Sequence, residues 1–140
     1  MVVSSPISQL ITGSQGVYSA ANIEHRDMTL REFKAMAEDK ENCLPLPDDA
    51  EPEAIARFYW KNVTYRQAVY GADVQGSLYD PDVKEWNINR LGTILDVIEE
   101  ETGVKMKGVN TSYLYFGMWK ATFAIHTEDV SCGCRGLAIE

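Results

Sequence analysis

A histidine and a glutamate two residues apart, His126 and Glu128, are the residues of this sequence best suited to chemistry. On a β-strand, alternate side chains point to the same face, so both would project together. The rise between them, about 6.6 Å, lets an imidazole and a carboxylate converge on one metal ion. Such a pair supplies two ligands of the facial triad of non-haem Fe(II) oxygenases. On these residues alone, a structural or exposed histidine is the simpler interpretation.

An aromatic stretch, YLYFGMWK at residues 113–120, precedes this pair and by itself is typical of a strand in a hydrophobic core. Together with GVNTS at 108–112 and HTED at 126–129, it closely resembles the catalytic segment of the JmjC histone lysine demethylases of subfamily 4 type. The resemblance spans about residues 6–129. Its other motifs are QLITG at 9–13, MTLREF at 28–33, YWKN at 59–62, YGADV at 70–74 and EWNI at 85–88.

The fold that this resemblance implies is α+β. N-terminal helices are followed by the first strands of a JmjC double-stranded β-helix, a cupin-like jelly roll, which is incomplete. Residues 1–129 are expected to be a partial catalytic region without the family's JmjN segment, and residues 130–140 a divergent C-terminal tail.

The resemblance also implies an iron site and a co-substrate site. Position by position, His126 and Glu128 are expected to ligate Fe(II), and the Tyr70 hydroxyl to bind the distal carboxylate of 2-oxoglutarate, with Phe123 packed against that molecule. The family decarboxylates 2-oxoglutarate oxidatively to succinate and hydroxylates an N-methyl group of lysine, which then leaves as formaldehyde.

A methyl-lysine pocket is implied as well, lined by the Gly108 carbonyl, Tyr115 and Glu128, with Tyr113 touching the histone peptide. A trimethylated ammonium has no N–H to donate, so its polarised methyl groups are met by oxygens and aromatic surface. The expected substrate is the histone H3 tail, chiefly methylated at its ninth and thirty-sixth lysines. A nuclear location follows.

The number of histidines sets a limit on activity. The family pattern has a second histidine well downstream of His-x-Glu, but this sequence holds only His25 and His126, and His25 lies in a polar upstream stretch. We therefore expect the chain alone to be inactive and, with strand edges uncovered, poorly folded or aggregated. A non-catalytic interaction fragment and the product of an incomplete gene model are the open alternatives.

Composition limits the choice of partners. A net charge of −8 and a pI near 4.7 argue against direct nucleic-acid contact, and no apolar run is long enough for a membrane span. No signal peptide is recognised, which favours an intracellular protein, and no specific protein partner is indicated. The three cysteines form no disulfide framework. Cys132 and Cys134 resemble half of a later structural zinc site of the family, but its other ligands are missing, so zinc is not expected.

Local patterns predict the elements that must position these residues. Thr29 and Glu32 form a capping box at the start of a short helix that ends near residue 39. Apolar residues at intervals of three and four predict a helix over 88–101, with Gly103 as its C-cap. The remaining predictions are a loop at 45–52, a helix at 54–61, two extended pieces at 69–79, and strands at 112–119 and 121–129.

Overall fold

The computed structural model describes residues 1–127, which form a mixed fold of helices and antiparallel sheets. The predicted α+β class is confirmed, and the arrangement is consistent with an incomplete jelly roll. One sheet pairs β1 with β4, and the other has the strand order β3-β2-β5-β6. The elements are β1 (Val2–Val3), β2 (Ile7–Ser14), β3 (Val17–Glu24), β4 (Met28–Thr29), α1 (Leu30–Ala37), α2 (Pro52–Asn62), β5 (Ala68–Gln75), α3 (Ile94–Thr102) and β6 (Tyr113–Gly117).

The described residues group into two compact units. Unit 1 comprises Met1–Gly71 and Phe116–Phe123, and unit 2 comprises Ala72–Tyr115 together with residues 124–127. Each unit has its own small set of buried apolar side chains. Those of unit 1 are Val3, Phe33, Val63, Ala68, Val69 and Met118, and those of unit 2 are Val74 and Leu114. Within residues 1–127, none of the helices is both long and apolar enough to span a membrane.

A β-hairpin of β2 and β3 is the largest feature of unit 1 that the sequence predictions missed. The two strands pair along eight residues each, from Ile7 opposite Glu24 to Ser14 opposite Val17. Gln15 and Gly16 join them with φ of +53° and +82°. Positive φ at both central residues is the geometry of the type I′ turn that tight hairpins prefer.

The two helices of unit 1 agree with their predictions. The Thr29 N–H donates to the Glu32 carboxylate at 2.7 Å, and the Glu32 N–H donates to the Thr29 hydroxyl at 3.2 Å, so the predicted capping box is confirmed. α1 then buries Phe33, whose ring lies 6.3 Å from that of Phe116. α2 starts at Pro52, a residue whose fixed φ suits the first helical position.

Lowering the pH should release this capping box, because the backbone hydrogen bond from Thr29 holds the pKa of Glu32 below its usual 4.5. Since the folded pKa is the lower one, the contribution of the carboxylate to stability is present above about pH 4.5. It is lost as the pH falls through the folded value. The amide resonance of Thr29, followed by NMR, should therefore titrate with a midpoint below 4.5. In Glu32→Gln the low-pH step should vanish, and an ordinary glutamate midpoint in the wild type would contradict the prediction.

In unit 2, α3 begins six residues later than predicted, at Ile94. Gly92 takes a φ of +68°, which ends any helical path before it, and the Thr93 N–H donates to the Asp96 carboxylate at 2.7 Å in a second capping box. Gly103 is the C-cap with φ of +66°, as predicted. Local capping therefore outweighed the apolar periodicity that had extended the helix to residue 88.

Two strand predictions need correction. The second extended piece of 69–79 is not a strand: the chain bends at residues 78 and 79, where the Tyr79 N–H donates to the Ser77 hydroxyl at 3.1 Å. The strand predicted over 121–129 is absent from residues 121–127, and residues 128 and 129 lie outside the described residues. Lys120, at a φ of +70°, turns the chain after β6. The strand predicted over 112–119 is confirmed as β6.

Candidate functional site

Two tyrosines of β6 form one side of a candidate site in unit 2. Tyr113 and Tyr115 are two residues apart on the strand and therefore share a face, while Leu114 between them is buried on the other side. The Tyr115 hydroxyl donates to an Asp73 carboxylate oxygen at 2.8 Å. This hydrogen bond fixes the phenol and raises the electron density on its oxygen.

Asp73 is the residue of this site that the sequence predictions missed. It has a φ of +57° within β5, a left-handed conformation that Asp tolerates better than most side chains. It belongs to the YGADV motif quoted above, but no role was predicted for it. Only the pairing of distant strand segments brings it to Tyr115, which is 42 residues later.

The backbone of Gly108 packs against the Tyr113 ring and leaves no room for a side chain. It has a φ of +74°, and a Cβ added there would lie 2.5 Å from Cε2 of the Tyr113 ring. The loop that presents Gly108 is braced by Asn110, which is 4% exposed. Its amide donates to the Val104 carbonyl at 2.8 Å and accepts from the Met106 N–H at 2.7 Å.

Unit 2 therefore holds a carboxylate and a glycine backbone in contact with the two tyrosine rings of β6. Gly108 contacts Tyr113, and Asp73 binds Tyr115. Oxygen acceptors beside aromatic rings are the surroundings that a methylated ammonium prefers. Glu128, the other residue predicted for this pocket, lies outside the described residues.

The residues predicted for the co-substrate belong to unit 1. Tyr70 is on β5, opposite Ile7 of β2, and its ring lies beside Gly117, where an added Cβ would come within 3.9 Å of Cδ2. Phe123 is 58% exposed. Tyr70 therefore has a well-defined position on a paired strand, whereas Phe123 follows the last turn of unit 1.

The ring of His126 is oriented by a hydrogen bond to the backbone. Its Nδ1 lies 2.8 Å from the Ala124 carbonyl oxygen, an atom that can only accept, so Nδ1 carries the proton. In a neutral ring the lone pair is then on Nε2, the arrangement typical of metal-bound histidine. The side chain thus fits Fe(II) as one ligand. Within residues 1–127, no three His, Cys, Asp or Glu side chains are placed to share a metal ion.

Thr122, four residues before His126, is anchored by side chains of unit 1. Gln9, which is 6% exposed, donates its amide to the Thr122 carbonyl at 2.6 Å and accepts from the Thr122 N–H at 2.7 Å. The Tyr59 hydroxyl lies 2.8 Å from that of Thr122. The Gln9 side-chain amide thus makes the two backbone hydrogen bonds that a neighbouring strand would make. The backbone at Thr122 is therefore fixed in place although it is not part of a strand.

The Lys120 ammonium makes three hydrogen bonds close to this segment. It donates to the backbone carbonyls of Asn62, the last residue of α2, and of Tyr65 and Arg66 in the turn that follows. Burial lowers the pKa of Lys120, and the Arg66 guanidinium lowers it further. One side chain therefore binds the carbonyls of Tyr65 and Arg66 and also that of Asn62, which accepts from the Tyr65 N–H as well.

Comparison with curated proteins identifies relatives of nearly the whole chain. Over 130 residues, or 93% of this chain, it is 48% identical to lysine-specific demethylase 4B of Mus musculus. Over the same share it is 42% identical to lysine-specific demethylase 4D of Rattus norvegicus and 41% identical to probable lysine-specific demethylase 4F of Homo sapiens. The chain spans 12, 25 and 20% of these three proteins. No protein-family model matches it.

Proposed function

Because this chain belongs to the lysine-specific demethylase 4 family over part of its members' length, we propose that it forms the front part of the catalytic region of a histone lysine demethylase. The observation that carries the proposal is the hydrogen bond from Tyr115 to Asp73, beside Tyr113 and Gly108 in unit 2. These groups form one wall of a pocket for a methylated ammonium. The function implies a nuclear role.

The substrate in this proposal is the methylated histone H3 tail, with trimethylated ninth and thirty-sixth lysines as the main sites. The methyl groups of trimethyl-lysine carry partial positive charge, and weak C–H···O contacts need oxygen acceptors nearby. Tyr115 supplies a phenol oxygen made more electron-rich by donation to Asp73, and Gly108 supplies a backbone carbonyl. The ring of Tyr113 adds surface against which the peptide packs.

The cofactors in this proposal are Fe(II), held by His126 and Glu128, and 2-oxoglutarate, bound by Tyr70 and Phe123. With dioxygen as the oxidant, bound Fe(II) and 2-oxoglutarate would supply hydroxylation chemistry: one oxygen atom would enter succinate as 2-oxoglutarate loses CO2, and the other would enter the N-methyl group. The hydrogen bond from Nδ1 of His126 to the Ala124 carbonyl supports the ligand role, because metal-binding histidines commonly donate their other ring N–H in this way. Tyr70 supports the co-substrate role as a phenol donor in a fixed position on β5.

The chain alone is proposed to be inactive. A facial triad needs a second histidine besides His126, and the only other histidine in this sequence is His25. His25 is already engaged, with its Nε2 at 2.6 Å from the Ser8 hydroxyl. Incubation with Fe(II), 2-oxoglutarate, ascorbate and a trimethylated H3 peptide should release no formaldehyde. Turnover that disappears in His126→Ala would show that another ligand completes the site.

Binding of methyl-lysine tests the pocket separately from catalysis. A labelled chain titrated with a trimethyl-lysine H3 peptide should show NMR shifts at Tyr113 and Tyr115, and the unmodified peptide should bind more weakly. In Tyr115→Phe the hydrogen bond to Asp73 is lost, and affinity should fall about three- to tenfold, the effect of one hydrogen bond.

The control is Tyr65→Phe, an exposed tyrosine of unit 1, which should leave the affinity unchanged. Equal binding of methylated and unmethylated peptides would rule out this wall as a methyl-lysine site. An equal loss of peptide affinity in Tyr115→Phe and Tyr65→Phe would mean that the substitutions act by destabilising the folded chain.

A further inference from the structure

Among residues 1–127, the hairpin strand β3 is an edge of the four-stranded sheet. In the order β3-β2-β5-β6 it is at one end, and its described strand partner is β2. Seven of its eight residues are exposed, and Tyr18 is half-buried. The edge is therefore open to another strand, because exposed backbone N–H and C=O groups form a template for pairing.

β3 lacks the usual features that protect such an edge. Its sequence, VYSAANIE, contains no proline and no lysine, and its only charged residue is Glu24. Natural edge strands are commonly blunted by prolines, lysines or bulges. An almost uncharged strand is notable in a chain of net charge −8, because other surfaces of two such chains would repel each other.

The register of the hairpin identifies which backbone groups face outward. The His25 N–H donates to the Pro6 carbonyl at 2.8 Å, one step beyond the pair of Ile7 with Glu24. Antiparallel strands alternate between residues that bond inward and residues that bond outward. The outward-bonding residues of β3 are therefore Tyr18, Ala20, Asn22 and Glu24.

We propose that β3 pairs antiparallel with β3 of a second copy of this chain, about a two-fold axis at Ala21. In this register Tyr18 lies opposite Glu24 and Ala20 opposite Asn22, so all four outward-bonding residues find partners. About eight backbone hydrogen bonds form, two for each of the four bonded pairs. Each Glu24 faces a tyrosine, so no like charges oppose each other.

The second copy is favoured as partner because the strand is complementary to itself. A two-fold interface uses the same patch on both chains, which requires that residue i accept residue j and the reverse. Strands of eight residues are about 27 Å long. An interface of this size is in the range of weak, transient complexes, so the dimer forms in a concentration-dependent manner.

Sedimentation equilibrium of the full chain tests the association. The apparent mass should rise from 15.7 kDa toward twice that value as the concentration is raised about a hundredfold. Ala20→Pro, which removes an outward N–H, should remain monomeric over the same range. Ala20→Val, which keeps the N–H and favours a strand, should associate like the wild type. A wild type that stays monomeric, or a folded Ala20→Pro chain that still associates, overturns the proposal.

A charge exchange at Ala21 tests the register and remains informative if the proline variant fails to fold. Because Ala21 faces its own copy across the axis, Ala21→Lys and Ala21→Glu should each lower association by about tenfold through like-charge contact. An equal mixture of the two variants should restore it. Failure of the mixture to recover the dimer, with both variants folded by NMR, overturns the pairing about Ala21.

Discussion

Replacing Gly108 by alanine should displace the Tyr113 ring and weaken binding of the methylated peptide about tenfold. Two effects combine, because a positive φ costs a non-glycine residue about 1 kcal/mol and the new Cβ would lie 2.5 Å from the ring. Urea unfolding should show a loss of about 2 to 3 kcal/mol, the sum of strain and overpacking. NMR of the Tyr113 ring should report its movement directly.

Gly92→Ala is the matched control for this experiment. Gly92 has nearly the same φ, +68°, but nothing lies within 4 Å of an added Cβ. It should therefore lose only about 1 kcal/mol of stability and leave peptide binding intact. If both variants bind the peptide equally, the contact of Gly108 with Tyr113 has no part in recognition.

Lys120→Met should destabilise unit 1 by about 2 kcal/mol, since hydrogen bonds to a charged donor contribute on this scale. The ammonium satisfies the carbonyls of Asn62, Tyr65 and Arg66, and methionine keeps the length of the side chain but donates nothing. Hydrogen exchange of the amides at the C-terminal end of α2 should accelerate along with the loss in unfolding free energy.

Lys34→Met provides the comparison. Its ion pair with Glu38 is 3.6 Å long, and both side chains are about two-thirds exposed, 68 and 66%. Exposed pairs of this type contribute about 0.5 kcal/mol. Equal destabilisation in the two variants would mean that the ammonium of Lys120 contributes no more than a surface charge.

Features of the fold that depend on neighbouring residues were predictable from the sequence. The capping box of Thr29 and Glu32 and the C-cap at Gly103 need only residues within four positions. The predicted start of α3 was wrong because the apolar periodicity from Ile88 was given more weight than the helix-ending Gly92 and the N-cap Thr93. The β2–β3 hairpin was missed because small and polar residues dominate β3, although the Gln15-Gly16 turn signal was present.

Features that depend on distant residues were not predictable from patterns. Alternating aromatic residues predicted a strand at 121–129, but the partner at Thr122 is the Gln9 side chain, 113 residues earlier. The contact of Gly108 with Tyr113 joins a residue that the family resemblance assigned to the methyl-lysine pocket with one that it assigned to the histone peptide, and both roles stay predictions. The bond of Asp73 to Tyr115 depends on strand register and could not be read from either motif.

The bond between Gln9 and Thr122 also has a consequence for biosynthesis. Chains emerge from the ribosome with the N-terminus first, at about 5 to 20 residues per second. β2 is therefore made early, while the backbone groups that satisfy the buried Gln9 amide are made more than a hundred residues later. During that interval the amide must remain hydrated, so this part of unit 1 cannot close while the nascent chain is short. Contacts of such high sequence separation also slow folding, and the β2–β3 hairpin is without these partners until Thr122 has been made.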